Sequence, residues 1–197
     1  MLIIDIKQLK LLDSKNGLKQ VSLEKEWKFE GSLQGFARST HKYNDKDGNH
    51  VGEREISVDF ALENIELHPW ASYMFIEKDD INIAYQNYNY IDVTYRQKGA
   101  STGYIVLDTG EGFGDLKIPL TGNTTNNFVT ERIEIPESMS RTNTGFLKGI
   151  RLYFDGIGDV ENTSVMLQDL KILYRQNIDD NPEVKAPNKY LTYSGDA

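Results

Sequence analysis

The sequence predicts an all-β protein built as an antiparallel β-sandwich. Apolar residues alternate with polar ones along most segments, as Ile91, Val93 and Tyr95 do, and this two-residue period is typical of strands with one buried face. Turn signals rich in Gly, Asn and Asp, such as Gly110–Gly114, separate these segments. No stretch shows a convincing helical period, so a sandwich of short strands is favoured over an α/β fold.

The alternation places about ten strands along the chain. For Gly17–Glu26, which includes the strand candidate Leu18–Leu23, a short helix fits as well as a strand. In chain order, the strand candidates are Leu2–Leu11, Leu18–Leu23, Ile56–Leu62, Ser72–Ile76, Ile81–Ala84, Tyr90–Arg96, Tyr104–Asp108, Phe128–Ile135, Ile150–Asp155 and Ser164–Tyr174. After Arg175 the apolar residues become isolated and Pro and Asn become frequent. Residues 1–176 are therefore predicted to form one sandwich domain, and residues 177–197 a polar tail or linker.

Composition narrows the classes of function. The chain has 197 residues with 8 Phe, 11 Tyr and 2 Trp. These large side chains can form a stable hydrophobic core without cross-links such as disulfides. It has no cysteine, which excludes disulfides, zinc–thiolate sites and thiol nucleophiles. Its net charge of −8 disfavours nucleic acid, because the basic residues are scattered rather than gathered on one face. No window is apolar enough for membrane insertion, and the first residues are charged too early for a signal peptide.

Motifs for catalysis are weak. The 3 histidines, His41, His50 and His68, all lie in the first half of the chain, and neither a Gly-x-Ser-x-Gly elbow nor a His-Glu-x-x-His pair occurs. Gly110–Gly114 lacks the further glycine and the following helix of a phosphate loop, so a hairpin turn explains it better. The chain is therefore predicted not to be an enzyme, although a catalytic group assembled from distant positions stays open.

One loop has the alternating oxygen ligands of a calcium loop. Asp45, Asp47 and Asn49 supply carboxylate or amide oxygens at every second position. An EF-hand loop would have Gly at its sixth position and Glu at its twelfth, where this chain has His50 and Ile56. A plain hairpin turn is the favoured interpretation, and a structural calcium ion is the alternative.

Aromatic and amide side chains cluster in the loops before two strands, and this combination suits a sugar. A sugar ring has apolar C–H faces that pack on aromatic rings, and a rim of hydroxyls that amides, carboxylates and Arg recognise. The alternative is that some of these aromatic residues are buried and close the ends of the hydrophobic core between the two sheets. The candidate ligand-binding residues are Trp70, Tyr85, Gln86, Asn87, Tyr88, Asn89, Tyr90, Arg151 and Tyr153.

The second half of the chain carries a recurring strand pattern. Thr130-Glu131-Arg132-Ile133-Glu134-Ile135-Pro136, Gly149-Ile150-Arg151-Leu152-Tyr153-Phe154 and Val165-Met166-Leu167-Gln168-Asp169-Leu170-Lys171-Ile172 are its clearest segments. The pattern, over roughly residues 70–175, resembles the galactose-binding-like jelly rolls of carbohydrate-binding modules. Such modules are attached to polysaccharide-degrading enzymes, and similar jelly rolls occur in phage tail adhesins.

The resemblance implies a non-catalytic module that binds a polysaccharide or cell-surface glycan, often with a structural calcium ion near one edge. It also implies an extracellular or virion-associated location, with other modules or virion proteins as further partners. Two alternatives stay open: a structural or assembly domain, for example in a phage tail or baseplate, and a glycan-acting enzyme with a jelly-roll fold.

Overall fold

The structure is a computed structural model that describes residues 19–84, 88–114, 117–122, 127–135 and 145–177. This part of the chain contains strands and turns and no helix. Its strands are β1 Lys19–Lys28, β2 Ala37–Arg38, β3 Thr40–Asn44, β4 His50–Glu55, β5 Ser57–Phe60, β6 Ile65–His68, β7 Met74–Lys78, β8 Ile83–Ala84, β9 Tyr90–Lys98, β10 Thr102–Asp108, β11 Lys117–Pro119, β12 Val129–Glu134, β13 Phe146–Leu147, β14 Gly149–Asp155 and β15 Ser164–Asn177.

Two antiparallel sheets form the sandwich. The first sheet has the order β12-β9-β15-β6-β5, with β1 also paired to β15. The second sheet has the order β11-β10-β14-β7-β2. Two small pairs, β3 with β4 and β8 with β13, lie outside these sheets. The predicted all-β antiparallel sandwich is confirmed.

The long strand β15 organises the first sheet. Its first residues pair with β6, through Val165 opposite Leu67, and its later residues pair with β1, from Asp169 opposite Lys28 to Asn177 opposite Lys19. Along its other edge it pairs with β9 over almost its whole length. A bulge between Leu167 and Asp169 resets the register on that side, which lets one strand keep its apolar side chains facing inward while it changes partner.

The core lies between the two sheets and follows from the alternation of the strands. Ile91 and Val93 of the first sheet and Ile105, Ile150 and Leu152 of the second expose none of their surface. Ile91 and Val93 alternate with Tyr90, Asp92 and Thr94, and Leu152 alternates with Arg151 and Tyr153. Burial of such side chains contributes about 1.5–3 kcal/mol each, so this inner layer holds the two sheets together.

The hairpin of β3 and β4 projects from the edge of the second sheet. Ser39, just before β3, is buried and binds β7 twice: its N–H donates to the carbonyl of Phe75, and its Oγ accepts from the N–H of Phe75 at 3.1 Å. The N–H of Ile56, just after β4, returns to the carbonyl of Ser39. Both ends of the hairpin are therefore fastened beside β7.

Several strand boundaries differ from the prediction. Gly17–Glu26 does not form a helix over its described part, because β1 pairs with β15 from Lys19 onward. Short strands β2, β3, β4, β6, β11 and β13 were not predicted, since their sequences are too short or too polar to show alternation. The predicted domain boundary after residue 176 falls within the last residues of β15, and residues 1–18 and 178–197 lie outside the described residues.

Among the described residues, no helix has the length and apolar character needed to cross a membrane.

Candidate functional site

Four partly exposed aromatic residues share the outer face of the second sheet. Tyr73 immediately precedes β7, Phe75 belongs to β7, Tyr104 to β10 and Tyr153 to β14. Each alternates with a buried residue such as Met74, so the strand pleat directs it away from the core. The strand register places Phe75 and Tyr104 on either side of Tyr153. These four residues are called the aromatic face below.

Tyr153 is the centre of the aromatic face. Its ring centroid lies 5.9 Å from Tyr73, 6.1 Å from Phe75 and 6.3 Å from Tyr104. Tyr73 and Phe75 are nearly parallel, at 8°, with centroids 6.5 Å apart. These spacings are within the range in which aromatic rings attract each other. The face is therefore a continuous and ordered apolar surface across three strands.

An ion pair between two aromatic rings borders the aromatic face on one side. Arg151 of β14 donates from Nε to the carboxylate of Glu77, directly opposite on β7, at 2.7 Å. The guanidinium lies 4.2 Å from the ring centroid of Phe75 and 4.4 Å from that of Phe113. Such stacking holds Arg151 in one position, with 22% of its side chain and 24% of that of Glu77 exposed to solvent. The pair can offer hydrogen bonds at a fixed place beside the rings.

The loop that carries Phe113 is shaped by Asp108. The carboxylate of Asp108 accepts the N–H groups of Gly110 and Gly112 at 2.7 and 2.9 Å, which closes the turn after β10. Phe113 then lies over Gly149, where an added Cβ would come within 2.8 Å of its ring. Glycine at 149 is needed for this close approach.

The other side of the aromatic face is bordered by Trp70 and the β3–β4 hairpin. Trp70 donates from Nε1 to the carbonyl of Arg54 at 3.2 Å, and the Arg54 guanidinium lies 5.0 Å from the Trp70 ring. The rings of Tyr43 and His41 lie 5.9 and 5.7 Å from Trp70. His41 in turn lies 4.3 Å from Tyr73, so the hairpin extends the row of rings.

His41 is buried in this row, and one of its ring nitrogens has no polar partner among the described residues. It is 5% exposed, and its Nε2 atom has no hydrogen-bond partner. Burial lowers the pKa of His41 from its ordinary value of 6.5, because a charged imidazole is poorly solvated between rings. Arg54 lies directly opposite on β4. The neutral ring acts as an aromatic spacer between Trp70 and Tyr73.

Charged groups near Tyr153 define a polar rim. The Lys117 ammonium lies 5.5 Å from the centroid of the Tyr153 ring. Burial of the phenol, followed by the charge of Asp155, raises the pKa of Tyr153, so its hydroxyl stays protonated at neutral pH and can donate a hydrogen bond. The aromatic face thus combines apolar rings with donors and acceptors at its edge.

The outer face of the first sheet has a different character. Arg132 binds Asp92 through two hydrogen bonds of 2.6 and 2.7 Å, and the hydroxyl of Thr94 donates to Asp169 at 3.0 Å. Lys171 lies 3.4 Å from Glu26. These polar groups, on β1, β9, β12 and β15, satisfy one another.

The structure separates the predicted ligand-binding residues. Trp70, Arg151 and Tyr153 lie at or beside the aromatic face, as just described. Asn89 and Tyr90 belong to the first sheet, where both accept hydrogen bonds from Arg175. Tyr85, Gln86 and Asn87 lie outside the described residues.

The prediction for Tyr88 is corrected. Its side chain is fully buried among the core residues, and burial raises its pKa to about 12. A ring without exposed surface cannot contact a sugar, so Tyr88 is a core residue. The sequence misplaced it because a tyrosine in a polar segment is expected to be exposed, whereas the ring of Tyr88 lies in the core just before β9.

The predicted calcium residues lie in the turn between β3 and β4. Asp45 Oδ1 accepts the N–H groups of Asp47 and Asn49, both at 2.9 Å, and Asp45 Oδ2 accepts from the Asn49 side chain at 3.1 Å. These bonds lower the pKa of Asp45, first through the backbone of Asn49. Both carboxylate oxygens already face N–H donors, so the three residues as arranged fit a turn better than a cation. The calcium site stays a prediction.

The sequence analysis missed Tyr73, Phe75 and Tyr104, which form most of the aromatic face. The sequence did contain one indication of them. Each of these aromatic residues is at a position that the alternation assigns to the solvent-facing side, where polar residues are usual. What the sequence could not show is the strand order, which places β10, β14 and β7 side by side.

Comparison with known proteins supports the fold and adds no closer relationship. No protein-family model and no curated protein matches the sequence. Among solved structures, a mutant of a carbohydrate-binding module of family 29 superposes with a TM-score of 0.51 and 9% identity, over 79% of this chain and 92% of that one. The chain has the fold of a carbohydrate-binding module.

Two further structures share this fold. A mutant of a family 29 module complexed with mannohexaose has a TM-score of 0.50 and 9% identity, over 79% of this chain and 92% of that chain. The glycoside hydrolase domain structure of Endo-D from Streptococcus pneumoniae R6 also gives a TM-score of 0.50, with 11% identity over 71% of this chain. The match spans 21% of that longer chain. The predicted resemblance to carbohydrate-binding modules is confirmed at the level of the fold.

Proposed function

We propose that this protein is a non-catalytic carbohydrate-binding module that binds a polysaccharide or cell-surface glycan on its aromatic face. The observation that carries the proposal is the row of partly exposed rings around Tyr153, bordered by the Arg151–Glu77 pair. Rings pack against the C–H faces of sugars, and the ion pair and tyrosine hydroxyls bind the hydroxyl rim.

The physics of the contact sets a modest affinity. Each sugar hydroxyl exchanges hydrogen bonds with water for bonds with protein, at a net gain of about 0.5–1.5 kcal/mol. Binding also has to offset lost translational freedom. A short oligosaccharide should therefore bind with a Kd between about 1 mM and 1 μM, that is −4.1 to −8.2 kcal/mol. Several copies acting together would hold a polymer more firmly.

The structural neighbours support the class of ligand. One family 29 module mutant was solved with mannohexaose and another, with a TM-score of 0.50, with cellulohexaose. Both ligands are linear chains of neutral sugars. On the aromatic face the charge of Arg151 is matched by Glu77, which suits an uncharged polysaccharide better than an acidic one.

A non-catalytic role fits the chemistry of the aromatic face. Most glycoside hydrolases use a pair of carboxyl groups, one on either side of the bond that breaks. Here the carboxylate of Glu77 is occupied by Arg151, which leaves it poorly placed to transfer a proton. A location outside a cell or on a virion, where such glycans occur, is part of the same proposal.

The proposal is tested by screening the whole chain on an array of polysaccharides and oligosaccharides, followed by calorimetry with the best ligand. Binding that is lost in Tyr153→Ala and kept in Tyr90→Ala supports it, because the two tyrosines lie on opposite sheets. Binding to a protein partner but to no glycan would favour the assembly alternative, and hydrolysis of the bound glycan would favour the enzyme.

A further inference from the structure

A second group of chemically reactive side chains lies on the outer face of the first sheet, away from the aromatic face. Asp59 comes from β5, and Glu66 and His68 come from β6. One ligand atom from each of the three side chains lies within 4.8 Å of the others. His68 Nε2 is 3.0 Å from Asp59 Oδ2.

The strand register brings these three residues together. Asp59 lies directly opposite Glu66, and His68 follows Glu66 by two residues on the same side of β6. Their strand partners in the core, Ile65 and Leu67, are fully buried. The backbone of this group is therefore fixed by the sheet, while the side chains keep access to solvent, with 78% of Asp59 and 35% of His68 exposed.

The charges of this group lack a matching cation. Two carboxylates directly opposite each other on neighbouring strands repel and destabilise the pair. Within the described residues, neither Asp59 nor Glu66 forms an ion pair with lysine or arginine, and the partner of Asp59 is the imidazole of His68. A bound dication would neutralise both carboxylates while using the imidazole nitrogen as a ligand.

Glu66 also accepts a hydrogen bond from a neighbouring strand. Ser164 of β15 is 3% exposed, and its hydroxyl donates to Glu66 Oε1 at 2.5 Å. A buried donor that fixes one carboxylate oxygen and leaves the other free is the arrangement that orients metal ligands in known sites. This contact comes from a third strand, outside the group itself.

We propose that Asp59, Glu66 and His68 bind a divalent transition metal ion, with zinc the best match. Zinc takes imidazole and carboxylate ligands at about 2.0–2.2 Å, which places ligand atoms about 3.3 Å apart in a tetrahedron. The 3.0 Å between His68 Nε2 and Asp59 Oδ2 is close to that spacing. Calcium instead takes six to eight oxygen ligands, which an imidazole and two carboxylates do not supply. Three protein ligands leave water at the fourth position.

The test is calorimetric titration of the whole chain with zinc chloride, together with thermal melts with zinc, with calcium and with chelator. We expect one zinc ion per chain and a rise in melting temperature with zinc that is lost in His68→Ala, whereas any effect of calcium should be the same in His68→Ala and in the natural chain. His68→Ala and Asp59→Asn should each weaken zinc binding at least about tenfold. His50→Ala, which removes an exposed histidine on the β3–β4 hairpin, is the matched control and should leave binding unchanged.

Cobalt provides a readout of geometry. Bound in place of zinc it should give the intense visible absorption of a four-coordinate ion, and this absorption should disappear in Asp59→Asn, which keeps the shape of the side chain. Zinc binding that is absent in the natural chain, or equal in His68→Ala and His50→Ala, would overturn the proposal. Because no sugar is involved, these outcomes are independent of the result for glycan binding.

Discussion

Replacement of Tyr153 by alanine should abolish most glycan binding while the fold survives. The ring is the only one of the aromatic face within about 6 Å of the other three, so its loss interrupts the apolar row at its centre. Anchor residues of this kind cost 2 kcal/mol or more when truncated, and each 1.4 kcal/mol is tenfold in affinity. We therefore expect at least about a tenfold rise in Kd by calorimetry.

Two further variants distinguish the contribution of the Tyr153 ring from that of its hydroxyl and test which sheet carries the site. Tyr153→Phe keeps the ring and loses the hydroxyl, so it should cost about 0.5–1.5 kcal/mol of binding. Tyr90→Ala removes a half-buried tyrosine on the other sheet and should leave Kd unchanged. If Tyr90→Ala weakened binding as much as Tyr153→Ala, the assignment of the site to the second sheet would be wrong.

Three other expectations follow from the same contacts. Tyr88→Ala should lower the free energy of unfolding by about 3–5 kcal/mol in urea melts, as deletion of a buried aromatic does, and an unperturbed melt would show that Tyr88 is not in the core. The folded-state pKa of His41 is lowered below 6.5, so at low pH the unfolded chain binds more protons than the folded chain. The free energy of unfolding should therefore fall as pH drops through and below this value. Between about pH 7.5 and about pH 5, the melting temperature should fall less in His41→Phe than in the natural chain. Calcium should leave the melting temperature unchanged if Asp45 serves only as a turn residue, whereas a rise that disappears in Asp45→Asn would establish the calcium site.

The sequence was sufficient to predict the class of fold because two-residue alternation indicates which face of each strand is buried. Ile91, Val93, Ile150 and Leu152, taken as inward from their spacing, are all fully buried. Short strands were missed where this signal is absent: β4 has no fully buried residue along its length. Such strands form because a neighbour offers hydrogen bonds, and local sequence does not encode the neighbour.

The candidate site was predicted only in part, for a related reason. Tyr153 lies on the aromatic face and Arg151 and Trp70 border it on two sides, yet Tyr90 lies on the opposite sheet and Tyr88 in the core. Loop composition alone groups residues that are close in sequence. The aromatic face instead depends on cross-strand register, in which Phe75 meets Tyr153 and Tyr153 meets Tyr104, across distances of many residues along the chain.

The pairing of β1 with the end of β15 has a consequence for engineering. Lys19 lies opposite Asn177, so the first residue of β1 and the last residue of β15 are neighbours. Both belong to the first sheet, whereas the aromatic face is on the second. The domain is thus suited to insertion into a surface loop of a host protein, or to circular permutation with a short joining segment.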